Sequence, residues 1–208
     1  MLPAVTSVRD LGVTVTSNLS PSTHIRDIVS RAHKRALAIH RSFVSRDTNM
    51  LVRAYKTYVR PMVEHNSVIW SPHNIQDIQE IERVQRKFTK RLRGYHSYSY
   101  EERLKLLKLQ SLELRRLLTD LCWCYKIVFG LVDTDIDDFF ELSTVTHTRG
   151  HKYKLFKKHS ALNVRSSFFS ERVLNVWNKM PENINFSSFK VFKHSIENTD
   201  FSMFLKGF

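Results

Sequence analysis

The clearest helical period of apolar and polar positions lies in residues 75–93, IQDIQEIERVQRKFTKRLR. At about 100° per residue, its apolar side chains fall within an arc of about 120°, as in a helix with one face in a core. The residues of this apolar stripe are Ile78, Ile81, Val84, Phe88 and Leu92. The opposite side carries the cations Arg83, Arg86, Lys87, Lys90, Arg91 and Arg93. The pattern predicts a helix that packs through one face and presents cations on the other.

Most of the remaining chain also follows a helical period. Residues 8–16, VRDLGVTVT, are the exception, because valines alternate with threonines there as in a strand or hairpin arm. Further helices are predicted over 20–43, from 48 to a break near Pro61, and over 100–107, 112–129, 165–179 and from about 187. The fold class is therefore mainly α, with a short β element at the start.

Local signals place several helix boundaries. Ser20 is a candidate N-cap, and Asp47 can cap the second helix. Pro61 lacks a backbone donor, so it predicts a kink or an early stop. Ser99 and Glu102 have the spacing of a capping box.

Composition suggests how the chain is divided. Hydrophobic residues make up 42% and charged residues 25% of the sequence, which is typical of a folded, soluble protein. The predicted segments are a strand or hairpin at 1–18, a helical bundle at 19–130, an acidic connector at 131–146 and a basic helical segment, with some irregular strand, at 147–208.

The charge is strongly basic and unevenly spread. The formal net charge is +13, and the isoelectric point is near 9.9. Residues 1–94 hold 16 basic and 7 acidic residues, residues 95–146 hold 6 and 9, and residues 147–208 hold 11 and 4, giving +9, −3 and +7. Because the sequence has no lipidation motif or long apolar run, we expect nucleic acid rather than a membrane as the acidic partner.

The N-terminal sequence and the two cysteines indicate the cellular compartment in which the protein is expected. The N-terminus lacks the basic and apolar regions of a signal peptide. On a helix, Cys122 and Cys124 point about 200° apart and cannot form a disulfide. We therefore expect an intracellular protein, nuclear or cytoplasmic.

A second basic stretch, HTRGHKYKLFKKHS at 147–160, interleaves cations with aromatic residues. Such a combination suits nucleic acid, because cations contact phosphates and aromatic rings stack on bases. Its candidate contact residues are Lys152, Lys154, Lys157 and Lys158. Three tyrosines after the cationic helix remain open between stacking and packing: Tyr95, Tyr98 and Tyr100. The aromatic residues expected in the core are Phe88, Phe168 and Trp177.

Catalytic patterns are largely missing from the sequence. It contains no phosphate-cradling glycine loop and no HExxH motif. His147 and His151 would converge on a helix, but Gly150 between them argues against a metal site. Asp137 and Asp138 resemble a helix start more than a two-metal carboxylate pair. We therefore predict no catalytic residues, no metal, no cofactor and no small-molecule substrate.

Several segments in their chain order resemble the C-terminal part of the reverse transcriptase of jockey-like non-LTR retrotransposons. They are VRDLGV at 8–13, AYKTYVRPMVEHNSVIWSP at 54–72, IERVQRKFTKRL at 81–92, YEERLKLLKLQSLELRR at 100–116, TRGHKYKLF at 148–156 and RSSFFSERVLNVWNKMP at 165–181. The resemblance covers nearly the whole chain, and the ordered set of motifs is more specific than any single one.

The resemblance implies a role for each part. The strand near Gly12 would be a remnant of the catalytic palm, and the following helices would form a thumb-like bundle that holds template and primer. The family's catalytic aspartates would lie before this chain, in palm segments missing upstream. The resemblance therefore implies part of an RNA-directed DNA polymerase that binds RNA or DNA and is inactive alone.

Other functions remain open from the sequence. The cations could form a solvated helix face on a non-catalytic protein-interaction module or an inert retroelement remnant. A small nuclease would require divalent metal and converging carboxylates, for which Asp137 is the only starting point.

Overall fold

A computed structural model of the chain describes residues 5–143, 150–158 and 163–207, without the side chains of residues 163 and 164. The fold is mainly helical and has a small antiparallel hairpin near its N-terminus. Strands β1 (Ser7–Asp10) and β2 (Val13–Thr16) form this hairpin. Leu11 and Gly12 make the tight turn with φ angles of 44° and 85°, and the second of these is readily adopted by glycine. The predicted hairpin is confirmed.

The described chain divides into two compact units, one of residues up to Arg115 with Gly207, the other from Arg116 to Lys206. The helices of the first unit are α1 (Ser22–Ser42), α2 (Thr48–Tyr58), α3 (Ser67–Trp70), α4 (Ile75–Lys90) and α5 (Tyr100–Leu107). A 3-10 turn at Arg60–Val63 follows α2. This turn is the early stop that Pro61 predicts, because proline cannot supply the next backbone hydrogen bond.

Most predicted boundaries of these helices agree with the structure. The Asp47 carboxylate accepts a hydrogen bond of 2.7 Å from the Met50 amide, and the capping box of Ser99 and Glu102 is complete. The N-cap of α1 is Pro21 rather than the predicted Ser20, although the Ser20 hydroxyl still accepts from the Ser22 amide at 3.4 Å. The start of α1 is therefore displaced by one residue.

One apolar core holds the first unit together. Helix α1 packs along α4, and both contact the region of α2 and its 3-10 turn. The Tyr55 and Phe88 rings stack in the centre with centroids 4.7 Å apart. Val13 of β2 also enters this core, so one strand of the hairpin is anchored while β1 lies exposed.

Helix α6 (Leu112–Val128) begins in the first unit and continues into the second. The remaining helices are α7 (Asn163–Ser166), α8 (Phe169–Arg172), α9 (Leu174–Asn178) and α10 (Phe189–Glu197), with 3-10 turns at Ile136–Asp138 and Ser202–Phe204. The division falls inside α6, earlier than the boundary at 130 that the sequence predicts, because later α6 side chains pack on the following chain. Tyr125, for example, stacks on Phe192 with centroids 4.5 Å apart.

The core of the second unit is aromatic, and the buried carboxylate of Asp120 at its edge pairs with the partly exposed Arg172. Trp177 and Phe192 are fully buried, and the ring of Phe186 lies between those of Trp177 and Tyr125. Arg172 donates two hydrogen bonds, of 2.8 and 2.9 Å, to the Asp120 carboxylate. Burial raises the pKa of Asp120, although Arg172 opposes this shift.

Two predictions for this region are wrong. The single helix expected over 165–179 is three short helices. Phe168 adopts an extended conformation with ψ of 153° and separates α7 from α8, whereas Val173, between α8 and α9, keeps helical dihedral angles. Phe168 is also 47% exposed and is not a core residue, whereas Trp177 is. Cys122 and Cys124 are both free, as their spacing predicts.

Candidate nucleic-acid interface

Helix α4 has the two faces that its sequence predicts. Every residue of the apolar stripe is at most 3% exposed. At roughly 1.5–3 kcal/mol per large buried side chain, this stripe fixes the orientation of the helix. The helix ends at Lys90, with Arg91 as its C-cap, rather than at the predicted residue 93. The basic surface therefore continues past the helix into its C-terminal turn.

All six predicted cations of this segment are exposed. Arg83 forms an ion pair of 2.8 Å with Glu80, which lies three residues before it on α4. The guanidinium of Arg86 lies over the Tyr100 ring, 4.9 Å from its centroid. These neighbours orient two of the cations but leave both at the surface.

Two of the three acidic residues of α4, Asp77 and Glu82, lie away from this surface. Asp77 in the first turn is buried, and its carboxylate accepts a hydrogen bond of 2.7 Å from the Ser22 hydroxyl. Glu82 is 2% exposed. Because both carboxylates point inward, they compete little with a bound polyanion for the exposed cations.

A buried polar network supports α4 from the side opposite to α1, and the sequence did not predict it. The Glu82 carboxylate accepts from the backbone amides of Leu112 (3.0 Å) and Glu113 (3.2 Å), at the N-terminus of α6, and from the Tyr100 hydroxyl. Gln85 donates to the same hydroxyl at 3.0 Å. Burial raises the pKa of Tyr100, and the negative charge of Glu82 reinforces the shift. The network explains why residues that look polar in sequence widen the buried face.

The three tyrosines after α4 differ in whether they pack inside the protein or present a ring for stacking. Tyr100 has a structural role as a hydrogen-bond partner of Glu82. Tyr95 is partly buried and packs against the core, whereas Tyr98 is 44% exposed. Of the three, only Tyr98 presents substantial ring surface that a base could reach.

A groove of about 270 Å³ lies between α1 and α4. Its lining residues are His33, Ala36, Leu37, His40, Val84, Lys87, Phe88 and Arg91. The two predicted cations Lys87 and Arg91 thus face the same space as two histidines from α1. The histidines were not predicted as site residues; their spacing of seven, which places them on one face of α1, was the available signal.

Helix α1 adds cations beside this groove. Lys34 and Arg41 are exposed. Lys34 lies three residues before Leu37, and Arg41 lies four residues after it. Side chains at this spacing share a helix face, so both cations flank the groove on its outer side. The basic surface therefore spans two packed helices rather than α4 alone.

The second basic stretch belongs to the second unit and is held by an asparagine. Asn178 donates to the Leu155 carbonyl and accepts from the Leu155 amide, both at 2.8 Å. Leu155 also forms an isolated antiparallel bridge with Leu142. This isolated bridge fits the irregular strand that the sequence predicts within residues 147–208. Buried His151 contacts the Trp177 carbonyl at 2.8 Å.

The four predicted lysines of this stretch differ in their surroundings. Lys152 is exposed beside the Tyr153 ring, at 5.1 Å from its centroid, and Lys154 is partly buried. Lys157 donates to Asn175 at 2.8 Å, and Lys158 lies 3.4 Å from Glu141. Three of the four are therefore exposed, and each of these three has a neighbour on its own unit.

The described residues contain no metal-binding cluster of three or more His, Cys, Asp or Glu side chains. Asp137 and Asp138 lie in an exposed 3-10 turn whose first residues are capped by Asp135, which accepts from the Asp137 amide at 3.1 Å. His147 lies outside the described residues. The expectation that His147 and His151 do not form a metal site therefore stays a prediction.

Comparison of the chain with protein-family models, curated proteins and solved structures gave no match. Within the described residues, no helix combines the length and apolar character needed to cross a membrane.

Proposed function

We propose that this chain is the thumb-like region of an RNA-directed DNA polymerase of a jockey-like non-LTR retrotransposon, and that it binds the backbone of nucleic acid. The observation that carries this proposal is the division of α4 and its C-terminal turn into a buried apolar stripe and a surface on which all six cations are exposed. The ordered motifs that resemble this family support the same function. The role of the region is to hold nucleic acid rather than to form the phosphodiester bond.

The geometry favours contacts to phosphate. Arg86 and Lys90 are four residues apart on α4, so their side chains are neighbours about one helical turn apart. Arginine and lysine at this spacing can bind successive phosphates without reading base edges. Neutralising about four phosphates would give a slope of log K against log salt near −3 to −4.

The test is binding of a labelled RNA–DNA duplex measured by fluorescence anisotropy between about 50 and 200 mM salt. We expect the stated slope for the unmodified chain. Reversing charge at Arg86→Glu with Lys90→Glu should reduce the magnitude of the slope by about 2 and weaken binding at least about tenfold.

A matched control separates local contacts from total charge. Arg53→Glu with Lys190→Glu changes the net charge by the same amount, because it also replaces two cations by two carboxylates. Both positions are exposed, but they lie on α2 and α10 rather than on α4. This control should retain most of the affinity. A salt-independent affinity, or equal losses in the two double variants, would show that α4 is a solvated face, as in a protein-interaction module.

A further inference from the structure

The groove between α1 and α4 brings hydrogen-bond donors from two helices into one space. His33 and His40 enter from α1, while Lys87 and Arg91 enter from α4. The lining, taken from the described part of the chain, contains no carboxylate. Both arginine and lysine donate to phosphate oxygens, and a protonated imidazole does the same through either ring nitrogen.

The size and lining of the groove also restrict its occupant. Its volume of about 270 Å³ is at the small end for a ligand pocket, and its lining includes the apolar residues Phe88 and Leu37. The His40 ring packs against Phe88 with centroids 4.5 Å apart, which fixes its position. A compact anion that contacts the cationic rim fits this lining better than an extended apolar ligand.

We propose that this groove is a phosphate subsite, which takes one phosphodiester of the bound nucleic acid and in doing so draws protons from solvent onto His33 and His40. This inference rests on the proposed function, and it adds a site on α1 that the basic face of α4 does not include.

The charged surroundings of His33 favour its neutral form in the free protein. Burial lowers the pKa of His33, and Lys87, Arg83 and Arg91 act in the same direction. Glu80 opposes them but is itself paired with Arg83 at 2.8 Å. A phosphate among these cations would offset their repulsion of an imidazolium.

His40 has similar surroundings from α4 and from the loop after α1. Burial lowers the pKa of His40, the Phe88 backbone opposes the shift, and Arg91 and Arg46 lower it further. An adjacent anion favours the charged form of a histidine and raises its pKa. Because the complex then binds more protons than the free protein, affinity must increase as the pH falls.

The experiment uses a homothymidine strand of about 15 nucleotides, because neither thymine nor a phosphodiester titrates between about pH 6 and pH 8. At constant salt, we expect the unmodified chain to bind about tenfold more tightly at the lower pH, equivalent to net uptake of about half a proton over two units. The double variant His33→Gln with His40→Gln should change less than about twofold. His73→Gln, at an exposed histidine just before α4, should behave as the unmodified chain does.

Nuclear magnetic resonance of the unmodified chain supplies a measurement that needs no variant. Adding the strand should raise the pKa values of His33 and His40 and leave the resonances of His73 nearly unchanged. Tight binding without these shifts, or with an unchanged pH dependence in the double variant, would overturn the phosphate subsite but leave the proposed function standing. No binding at either pH would overturn both.

Discussion

Replacing Glu82 by glutamine tests how the candidate interface is held in place. Glu82 lies on α4, and its carboxylate accepts from the Leu112 and Glu113 amides at the start of α6. Glutamine has nearly the same shape but offers one acceptor oxygen and an amino group that cannot accept from an amide. Both backbone amides donate to Oε2, which the glutamine oxygen can replace. The glutamine amino group then takes the place of Oε1, which accepts from the Tyr100 hydroxyl and, at 3.2 Å, from the Leu112 amide. Glu82→Gln therefore removes the acceptor of a buried hydroxyl and the negative charge that both amides face.

The expected loss of stability is about 3 kcal/mol. A hydrogen bond to a charged acceptor contributes roughly 1.5–3 kcal/mol, and a buried donor left unpaired costs about 1–3 kcal/mol. Loss of a negative charge beside the N-terminus of α6 adds roughly 0.3–1 kcal/mol. Since the side chain is only 2% exposed, water cannot readily replace the missing acceptor.

Urea unfolding followed by circular dichroism measures this change, and hydrogen exchange at the Leu112 and Glu113 amides locates it. Glu80→Gln is the matched control, since Glu80 forms only a surface ion pair with Arg83 and should cost less than about 0.5 kcal/mol. Tyr100→Phe removes the hydroxyl that donates to Glu82, so a double-mutant cycle should give a coupling of about 1 kcal/mol or more.

A loss below about 0.5 kcal/mol for Glu82→Gln would refute the reasoning, because a buried donor cannot lose a charged acceptor at so little cost. Unchanged amide exchange at Leu112 and Glu113 would refute it independently.

Two further predictions concern polar side chains that accept a hydrogen bond from a backbone amide. His24 is buried, and its Nδ1 accepts a hydrogen bond of 3.3 Å from the Thr14 amide. Burial lowers the pKa of His24 below its usual value of 6.5, so the native state binds fewer protons than the unfolded chain. The free energy of unfolding should therefore fall as the pH drops below about 6.5. His24→Gln should reduce that fall in urea unfolding, and stability that rises toward acid pH would contradict the sign. Asn178→Ala removes both hydrogen bonds to Leu155, so the free energy of unfolding should fall by about 1–3 kcal/mol and exchange of the Leu155 amide should accelerate. An unchanged exchange rate at Leu155, with Asn183→Ala at an exposed asparagine as the control, would show that Asn178 does not hold the basic stretch.

The sequence by itself determined the features that depend on local periodicity and local hydrogen bonds. The apolar stripe of α4, the hairpin turn at Gly12 and the caps at Asp47 and Ser99 all follow from residues within a few positions of one another. The exposure of the cations followed in the same way, because they lie opposite the stripe. The break at Phe168 did not follow from the local pattern, because the helical period of the sequence continues through it.

Only the tertiary structure decided which distant residues share a site. Glu82 looks like one of several carboxylates in a charged helix, yet it is buried because the amides of Leu112 and Glu113 come to it from 30 and 31 residues away. His33 and His40 look like scattered surface histidines until α1 packs beside α4. The physical reason is that periodicity records which face of a helix is apolar, but not which partner will cover it or which polar groups that partner will bring.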